Sequence, residues 1–224
     1  MAMKKSMDIF GKSLYDYWKG DTKSPYFIIH KGKKEARNNR RYFRSYSQLS
    51  NLEKRLISLA KGSILDIGCA TGYYIPALMK KGEVEGIDIS KYAIKVAKEK
   101  YKLDNVYVKD IFKFKTSKKY DTITFLENNL GMGGSPEGTK KLLIKSKKLL
   151  KPNGQILIIQ RDIDKDYVPV TLTSEYKGQK DKFKWVHYSV KYVQKVSEKV
   201  GLKFKLIHRN KSRNTFYLAK LTKK

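Results

Sequence analysis

The spacing of hydrophobic positions changes several times along the chain, and each change marks an element. In residues 6–18, Phe10, Leu14, Tyr17 and Trp18 fall along one side, the spacing of an amphipathic helix that Gly20 and Pro25 bring to an end. Phe27-Ile28-Ile29 reads as a short strand. Asn51 or Ser50 can cap a helix carrying Leu52, Leu56, Ile57 and Leu59 that stops near Gly62. From Ser63 onward, short apolar runs alternate with helical patterns, as in a parallel sheet with crossover helices. Strands are predicted at 64–67, 84–89, 106–108, 120–126 and 155–160. The first helix between them carries Ile75, Leu78 and Met79, and a second follows Ser90 as its cap. A third starts at Ser135 and Pro136, the residue types that open helices. Pro152-Asn153-Gly154 reads as a turn.

The rhythm breaks at 161–188, where strands at 168–176 and 183–187 flank Lys177-Gly178-Gln179-Lys180 as an inserted hairpin. Ser189 then caps a helix stopped by Gly201. Two strands at 202–208 and 215–222, joined by a short polar turn, make an antiparallel edge. The fold class is therefore α/β: an open, mostly parallel sheet of seven strands with an antiparallel edge hairpin and helices on both faces. Residues 1–62 are expected to be a small cap packed on a core domain of residues 63–224.

With 224 residues, 40% of them hydrophobic, the chain suffices for one domain with a small addition. No apolar run reaches about 18 residues, so no membrane span is expected. The first thirteen residues are basic but have no apolar core of signal-peptide length. A single cysteine excludes an internal disulfide and fits a reducing, cytoplasmic setting. The net charge of +29 invites an anionic partner. Yet lysines occur in almost every helix and loop rather than on one stripe, which fits a solvated lysine-rich background better.

Four carboxylates, Asp66, Asp88, Asp110 and Glu127, end four successive predicted strands. In open parallel sheets, ligands bind beyond those ends. The first strand runs into a glycine turn, Gly68-Cys69-Ala70-Thr71-Gly72, at a helix start. Asp88 follows Gly68 by 20 residues, close to the roughly 20 expected of an acid that binds ribose hydroxyls. A dinucleotide would need glycines where Ala70 and Tyr73 stand, and its phosphates would meet Asp66 and Glu127. A cationic adenosine ligand without phosphate fits these charges. Cys69 reads as a small residue that fits the turn rather than as a reactive thiol.

The run D-I-G-C-A-T-G resembles the first motif of class I S-adenosylmethionine-dependent methyltransferases, with Ala70 in place of the middle glycine. The resemblance continues through G-I-D-I-S, V-K-D-I-F, Y-D-T-I-T-F-L-E-N-N and L-L-K-P-N-G-Q-I-L-I, covering residues 63–159. It implies a Rossmann-like fold, S-adenosylmethionine as cofactor, S-adenosylhomocysteine as product, and no metal. It places Asp66 and the turn Gly68, Cys69, Ala70, Gly72 and Tyr73 around the methionine part. It gives Asp88 the ribose, with Ile89 against adenine, and Asp110 the adenine amino group, with Ile111 on the ring. Glu127 and Asn128 would lie near the methionine amine and the methyl.

Methyl displacement rests mainly on alignment, and a general base is needed only when the nucleophile must lose a proton. The candidates are Glu127, His187 and, as a positioning group, Asn129. Tyr15, Arg44 and Tyr46 from the cap, with Trp185 and His187 from the hairpin, are the expected acceptor contacts. Attack on a pyrimidine carbon usually needs a cysteine, and the only one lies in the cofactor turn. Methylation of exocyclic base amines usually goes with N-P-P-Y, where this chain reads E-N-N-L. A small-molecule acceptor is therefore expected. An RNA target approached through the basic segment 30–41 is a second reading, and a non-catalytic nucleic-acid module a third. The oligomeric state is not legible.

Overall fold

In a computed structural model, which describes residues 2–210 and 215–224, helix α1 (Ala2–Trp18) opens the chain. Leu14 is fully buried, but Phe10, Tyr17 and Trp18 are only partly so. The side of α1 that packs inward carries Ser6, Ile9 and Ser13. The helix is held between neighbouring elements, and small side chains permit the close approach that three large aromatics would prevent. Strand β1 (Tyr26–His30) pairs with β2 (Lys33–Arg37). The pattern analysis missed β2 because all five of its residues are exposed and none of the usual apolar alternation marks them. Ser50 caps α2 (Asn51–Leu59) through a reciprocal pair of bonds with Glu53.

The alternating unit follows: β3 (Ile64–Ile67), α3 (Ile75–Leu78), β4 (Val84–Asp88), α4 (Lys91–Tyr101), β5 (Val106–Val108), β6 (Tyr120–Phe125), α5 (Pro136–Leu149) and β7 (Leu150–Arg161). Pro152-Asn153-Gly154 does not separate α5 from its strand by a turn. It lies inside β7 as an irregularity, where Tyr120 pairs with Leu150 but Thr122 pairs with Gln155. The hairpin β8 (Tyr167–Tyr176) and β9 (Gln179–Tyr188) turns on Lys177-Gly178 alone, with φ of 45° and 77°, a two-residue turn of the kind that matches strand twist. Ser189 caps α6 (Val190–Lys199), and β10 (Leu202–Arg209) and β11 (Phe216–Lys223) close the chain. Much of the polar turn predicted between these two, residues 211–214, lies outside the described residues.

The main sheet has the order β10-β11-β7-β6-β3-β4-β5; β11 runs antiparallel to both its neighbours, β10 and β7, and the other six strands share one direction. Side chains alternate between two apolar cores: Leu65 and Ile67 pack on the side of α5 and α6, Ile64 on the side of α2, α3 and α4. A sheet covered on both faces explains the near-continuous apolar strands that the sequence shows. A second, antiparallel sheet has the order β2-β1-β8-β9. It joins two segments that are far apart in sequence, through Phe27 opposite Glu175 and Ile29 opposite Thr173. One part of its inner face lies under α1, where Ser6 donates to Asp181 at 2.6 Å and Tyr176 donates to Asp16 at 3.1 Å. The rest of that face roofs a cavity over the carboxyl ends of β3–β6. Among the described residues no helix is long and apolar enough to cross a membrane.

Candidate active site

The cavity between the two sheets has a volume of about 1160 Å³. Its floor begins with the glycine turn after β3. Gly68 has φ 76°, and a Cβ there would sit 2.5 Å from Asn129 Nδ2, so only glycine lets the Asn129 amide reach the turn. That amide donates to the carbonyls of Ile67 (3.0 Å) and Gly68 (3.1 Å). Ala70 keeps the left-handed conformation that the missing glycine would favour, with φ 49°, at a cost of about 1 kcal/mol. Its N–H donates to Asp88 Oδ2 at 3.0 Å, and Ser90 N–H donates to Oδ1 at 2.8 Å. Burial raises the Asp88 carboxyl above its ordinary value despite these bonds.

Asp66 is more deeply enclosed. Thr124 donates to its Oδ1 at 2.7 Å, while its Oδ2 has no partner among the described residues. Burial pushes its carboxyl up to about 7, with the Asp88 charge adding to the effect. A buried carboxylate oxygen that lines a cavity unpartnered calls for a cationic ligand group. Asp110, Ile89 and Ile111 line the same floor, and so do Cys69 and Tyr73. Gly72 does not; it packs beneath, against Leu103 and Ala97. Burial raises the Cys69 thiol well above its ordinary value, the state of an inert side chain. The floor thus offers acids, backbone and apolar surface to a ligand such as S-adenosylmethionine, and the donor set fits a cationic nucleoside.

At the end of β6 the chain turns through two left-handed residues, Glu127 (φ 50°) and Asn128 (φ 68°). The Glu127 carboxylate is already bound. Arg41 lies at 3.0 Å, Arg44 at 3.1 Å, and Tyr74 donates to it at 3.3 Å. Asn128 Oδ1 accepts from the Arg161 N–H at 2.5 Å. Glu127 and Asn129, two of the three expected catalytic groups, therefore have their polar atoms engaged within the protein. The third, His187, faces the cavity with its Nδ1 unpartnered among the described residues. Burial, with Arg161 and His30 nearby, lowers its imidazole below the ordinary value.

Of the expected acceptor contacts, Trp185 and His187 line the cavity and three cap residues do not. Tyr15 meets Trp18 on its own helix edge-on and Tyr92 of α4 at a tilt, under Lys95. Tyr46 is half exposed, below Lys54. Arg44 is a strut: it grips Glu53 at 2.6 Å and donates to Tyr73 (3.1 Å), Tyr74 (3.3 Å) and Glu127. Arg44, expected to touch the acceptor, instead holds the cap to the core, while Tyr42 of the same segment does line the cavity. Missed around the cavity were His30 on the roof, Met132 after β6 and Arg161 at the end of β7. The signal that finds His30 is parity: Ile28 and His30 on β1, Val168 and Val170 on β8, and Trp185 and His187 on β9 all fall on one face in register.

A family model described as a methyltransferase domain matches residues 59–218. In three dimensions the chain is similar to a SAM-dependent methyltransferase from Bacteroides fragilis, solved in complex with S-adenosyl-L-homocysteine. The TM-score is 0.87 at 26% identity, covering 97% of this chain and 95% of that one. In sequence it is similar to a putative protein N5-glutamine methyltransferase of Methanocaldococcus jannaschii, 40% identical over 80 residues. That match takes in 33% of this chain and 40% of the relative. It is also similar to the malonyl-[acyl-carrier protein] O-methyltransferase of Bacillus anthracis, 33% identical over 84 residues, 35% of this chain and 31% of the relative. The matched stretches thus span less than half the length of either curated relative. By the family model across its core and by the fold across nearly its whole length, the chain belongs to the methyltransferase domain family, as one of its S-adenosylmethionine-dependent members.

Proposed function

We propose that this chain transfers a methyl group from S-adenosylmethionine to a small-molecule acceptor held between the main sheet and the antiparallel roof. One observation carries this reading: a single cavity has carboxylates at strand ends on its floor and apolar side chains on its roof. Its volume, about 1160 Å³, exceeds the roughly 300–1,000 Å³ typical of a pocket for one ligand. Residues 1–62 and 161–188 together supply the acceptor side, and residues 63–160 the cofactor side. When bound, S-adenosylmethionine supplies an electrophilic methyl on a sulfonium. In this reading Asp88 binds the ribose hydroxyls and Asp110 the adenine amino group, with Ile89 and Ile111 against the ring. Asp66 and the turn at Gly68 hold the methionine end, beside Glu127 and Asn128. The chain's own contribution is to align the acceptor and exclude water, for which effective molarities can be large. His187, with its free Nδ1, is the catalytic candidate left to touch the acceptor.

The basic segment 30–41 is less of a nucleic-acid stripe than its composition suggests. Lys33 and Arg37 pair with Glu35, and Lys34 pairs with Glu175. The test is direct. Calorimetry should show S-adenosylhomocysteine binding, and Asp88→Ala should weaken it by about 100-fold, the worth of two hydrogen bonds to a charged acceptor. Labelled methyl from S-adenosylmethionine should then appear in a small-molecule extract and not in an RNA pool. No binding of S-adenosylhomocysteine by the unaltered protein would sink the proposal, and label in RNA would replace the acceptor class.

A further inference from the structure

S-adenosylmethionine and S-adenosylhomocysteine both end in a zwitterion, an ammonium and a carboxylate on one carbon. The acids of the floor suit the ammonium and repel the carboxylate beside it. The cap brings positive charge to this end of the cavity. Thr71, inside the glycine turn, donates to the Tyr42 carbonyl, which seats residues 41–44 on the turn itself. Arg44 donates to the hydroxyl of Tyr73, just past the turn, at 3.1 Å. From the other side Asn129 binds the Ile67 and Gly68 carbonyls, and Glu127, two residues before it, meets Arg41 and Arg44. The glycine turn, Glu127 and the two arginines are therefore one bonded set.

The two arginines differ in what is left to them. Arg44 has all three nitrogens committed: Nε to the Arg41 carbonyl at 2.9 Å, Nη1 to Glu53 at 3.2 Å, and Nη2 to Glu53, Tyr73, Tyr74 and Glu127. Arg41 lines the cavity with its side chain 58% exposed. Its guanidinium makes one ion pair among the described residues, Nη2 to Glu127 Oε2 at 3.0 Å. The other oxygen of Glu127, Oε1, is held by Arg44 at 3.1 Å and by Tyr74 at 3.3 Å. Glu127 thus stays anchored if Arg41 lets go, and an ion pair this exposed is weak enough to exchange.

We infer that Arg41 reads the α-carboxylate of the cofactor, and that it exchanges Glu127 Oε2 for that carboxylate when the cofactor binds. This rests on the proposed orientation of S-adenosylmethionine, with its methionine end at the Gly68 turn, and adds to it a residue from the cap. The planar guanidinium matches a carboxylate in two parallel hydrogen bonds. Glu127 Oε2 and Asp66 are then left to the ammonium. In the ligand-free protein Arg41 stands on Glu127 where the ammonium will stand, so one ion pair is exchanged for two. Arg41 is the cap's one contribution to a cofactor site that the main sheet otherwise builds.

The experiment is a calorimetric titration of the full chain with three ligands. They are S-adenosylhomocysteine, its α-carboxamide, which loses the negative charge, and 5′-methylthioadenosine, which lacks the amino-acid end. The unaltered chain should bind S-adenosylhomocysteine at least tenfold more tightly than the carboxamide. Arg41→Gln should bring that ratio close to one, and Arg41→Lys, which keeps the charge without the fork, should retain part of it. In both variants 5′-methylthioadenosine affinity should stay within twofold, which also shows that the fold is intact. Arg37→Gln removes another arginine that lines the cavity, one paired with Glu35, and should leave the ratio unchanged. Equal binding of acid and carboxamide by the unaltered chain, or a preference that survives Arg41→Gln, would overturn the inference while leaving the methyltransferase reading intact. So would a preference that Arg37→Gln removes equally, or an equal fall for all three ligands in Arg41→Gln, which marks a structural role. If neither S-adenosylhomocysteine nor 5′-methylthioadenosine bound the unaltered chain, the underlying reading and the inference would fall together.

Discussion

The floor and the roof of the cavity are built on different principles. The floor is a local construction. Each of its acids ends one strand of a parallel sheet, and each is placed by its own strand, turn and helix start. Asp88, for example, is fixed by the N–H groups of Ala70 and Ser90, the residues that open the neighbouring turn and helix. The roof is a non-local construction. Its strands come from residues 26–37 and 167–188, and they become one surface only where β1 pairs with β8. A floor of this kind can keep one cofactor while the roof above it changes, because the two share few backbone hydrogen bonds. In the proposed reading, cofactor chemistry belongs to the sheet and acceptor chemistry to the elements added to it.

If the two parts are separate constructions, something must hold them in register, and Arg44 is placed to do it. Its guanidinium binds Glu53 on α2, Tyr73 and Tyr74 beyond the glycine turn, and Glu127 at the end of β6. The Glu53 side chain is only 7% exposed, so removing its partner leaves a buried charge uncompensated. Arg44→Met should cost about 3 kcal/mol, a fall of roughly 6–12 °C in Tm. Adding Glu53→Gln should restore part of that loss, because the stranded charge goes with it. A loss under about 1 kcal/mol in thermal unfolding would show that cap and core are held together elsewhere.

What could be read from the sequence follows the same division. Asp66, Asp88, Asp110 and Glu127 were legible because strand, turn and helix signals place each of them within a few residues of its own element. The five parallel strands and the edge hairpin were legible for the same reason. The hairpin at 167–188 and the strand at 27–29 were visible, but β2 on the far side of β1 was not, since a fully exposed strand of Lys33, Lys34 and Arg37 carries no apolar period. Without the β1–β8 pairing, nothing in the sequence sets His30 on the same sheet face as His187. Tyr15, Arg44 and Tyr46 were drawn to the cavity by composition alone. Composition says which groups can bind a ligand, but only packing says that Arg44 is already occupied.

Among the places where floor and roof touch, one is a glycine. A Cβ on Gly131 would lie 2.1 Å from Trp185 Nε1, so the indole rests directly on the turn that follows β6. Gly131→Ala should push Trp185 off this seat at a cost of about 1–3 kcal/mol, the usual range for overpacking. The loss should appear in thermal unfolding, while S-adenosylhomocysteine affinity stays within twofold. A large loss of S-adenosylhomocysteine affinity would mean that the two halves are not separable at this contact.

The effect that is smallest over any one pH unit belongs to the floor alone and depends on pH. Burial holds the Asp66 carboxyl at about 7 in the ligand-free fold, against an ordinary value of 3.8. Between those values the unfolded chain releases a proton that the folded chain keeps. The contribution of Asp66 to stability is therefore complete below about 4 and is lost as pH rises towards 7, by up to about 1.4 kcal/mol per pH unit. Asp66→Asn should flatten that slope, so its advantage over the native protein should grow across this window and level off above it. A cationic ligand group beside Asp66 favours the ionised carboxylate. S-adenosylhomocysteine affinity should then fall about tenfold, or about 1.4 kcal/mol, between pH 8 and pH 6. Asp66→Asn should remove this dependence, and His187→Gln on the roof should leave it unchanged. A pH profile that followed His187 instead would place the cofactor's charged end against the roof and reverse the assignment of the two surfaces.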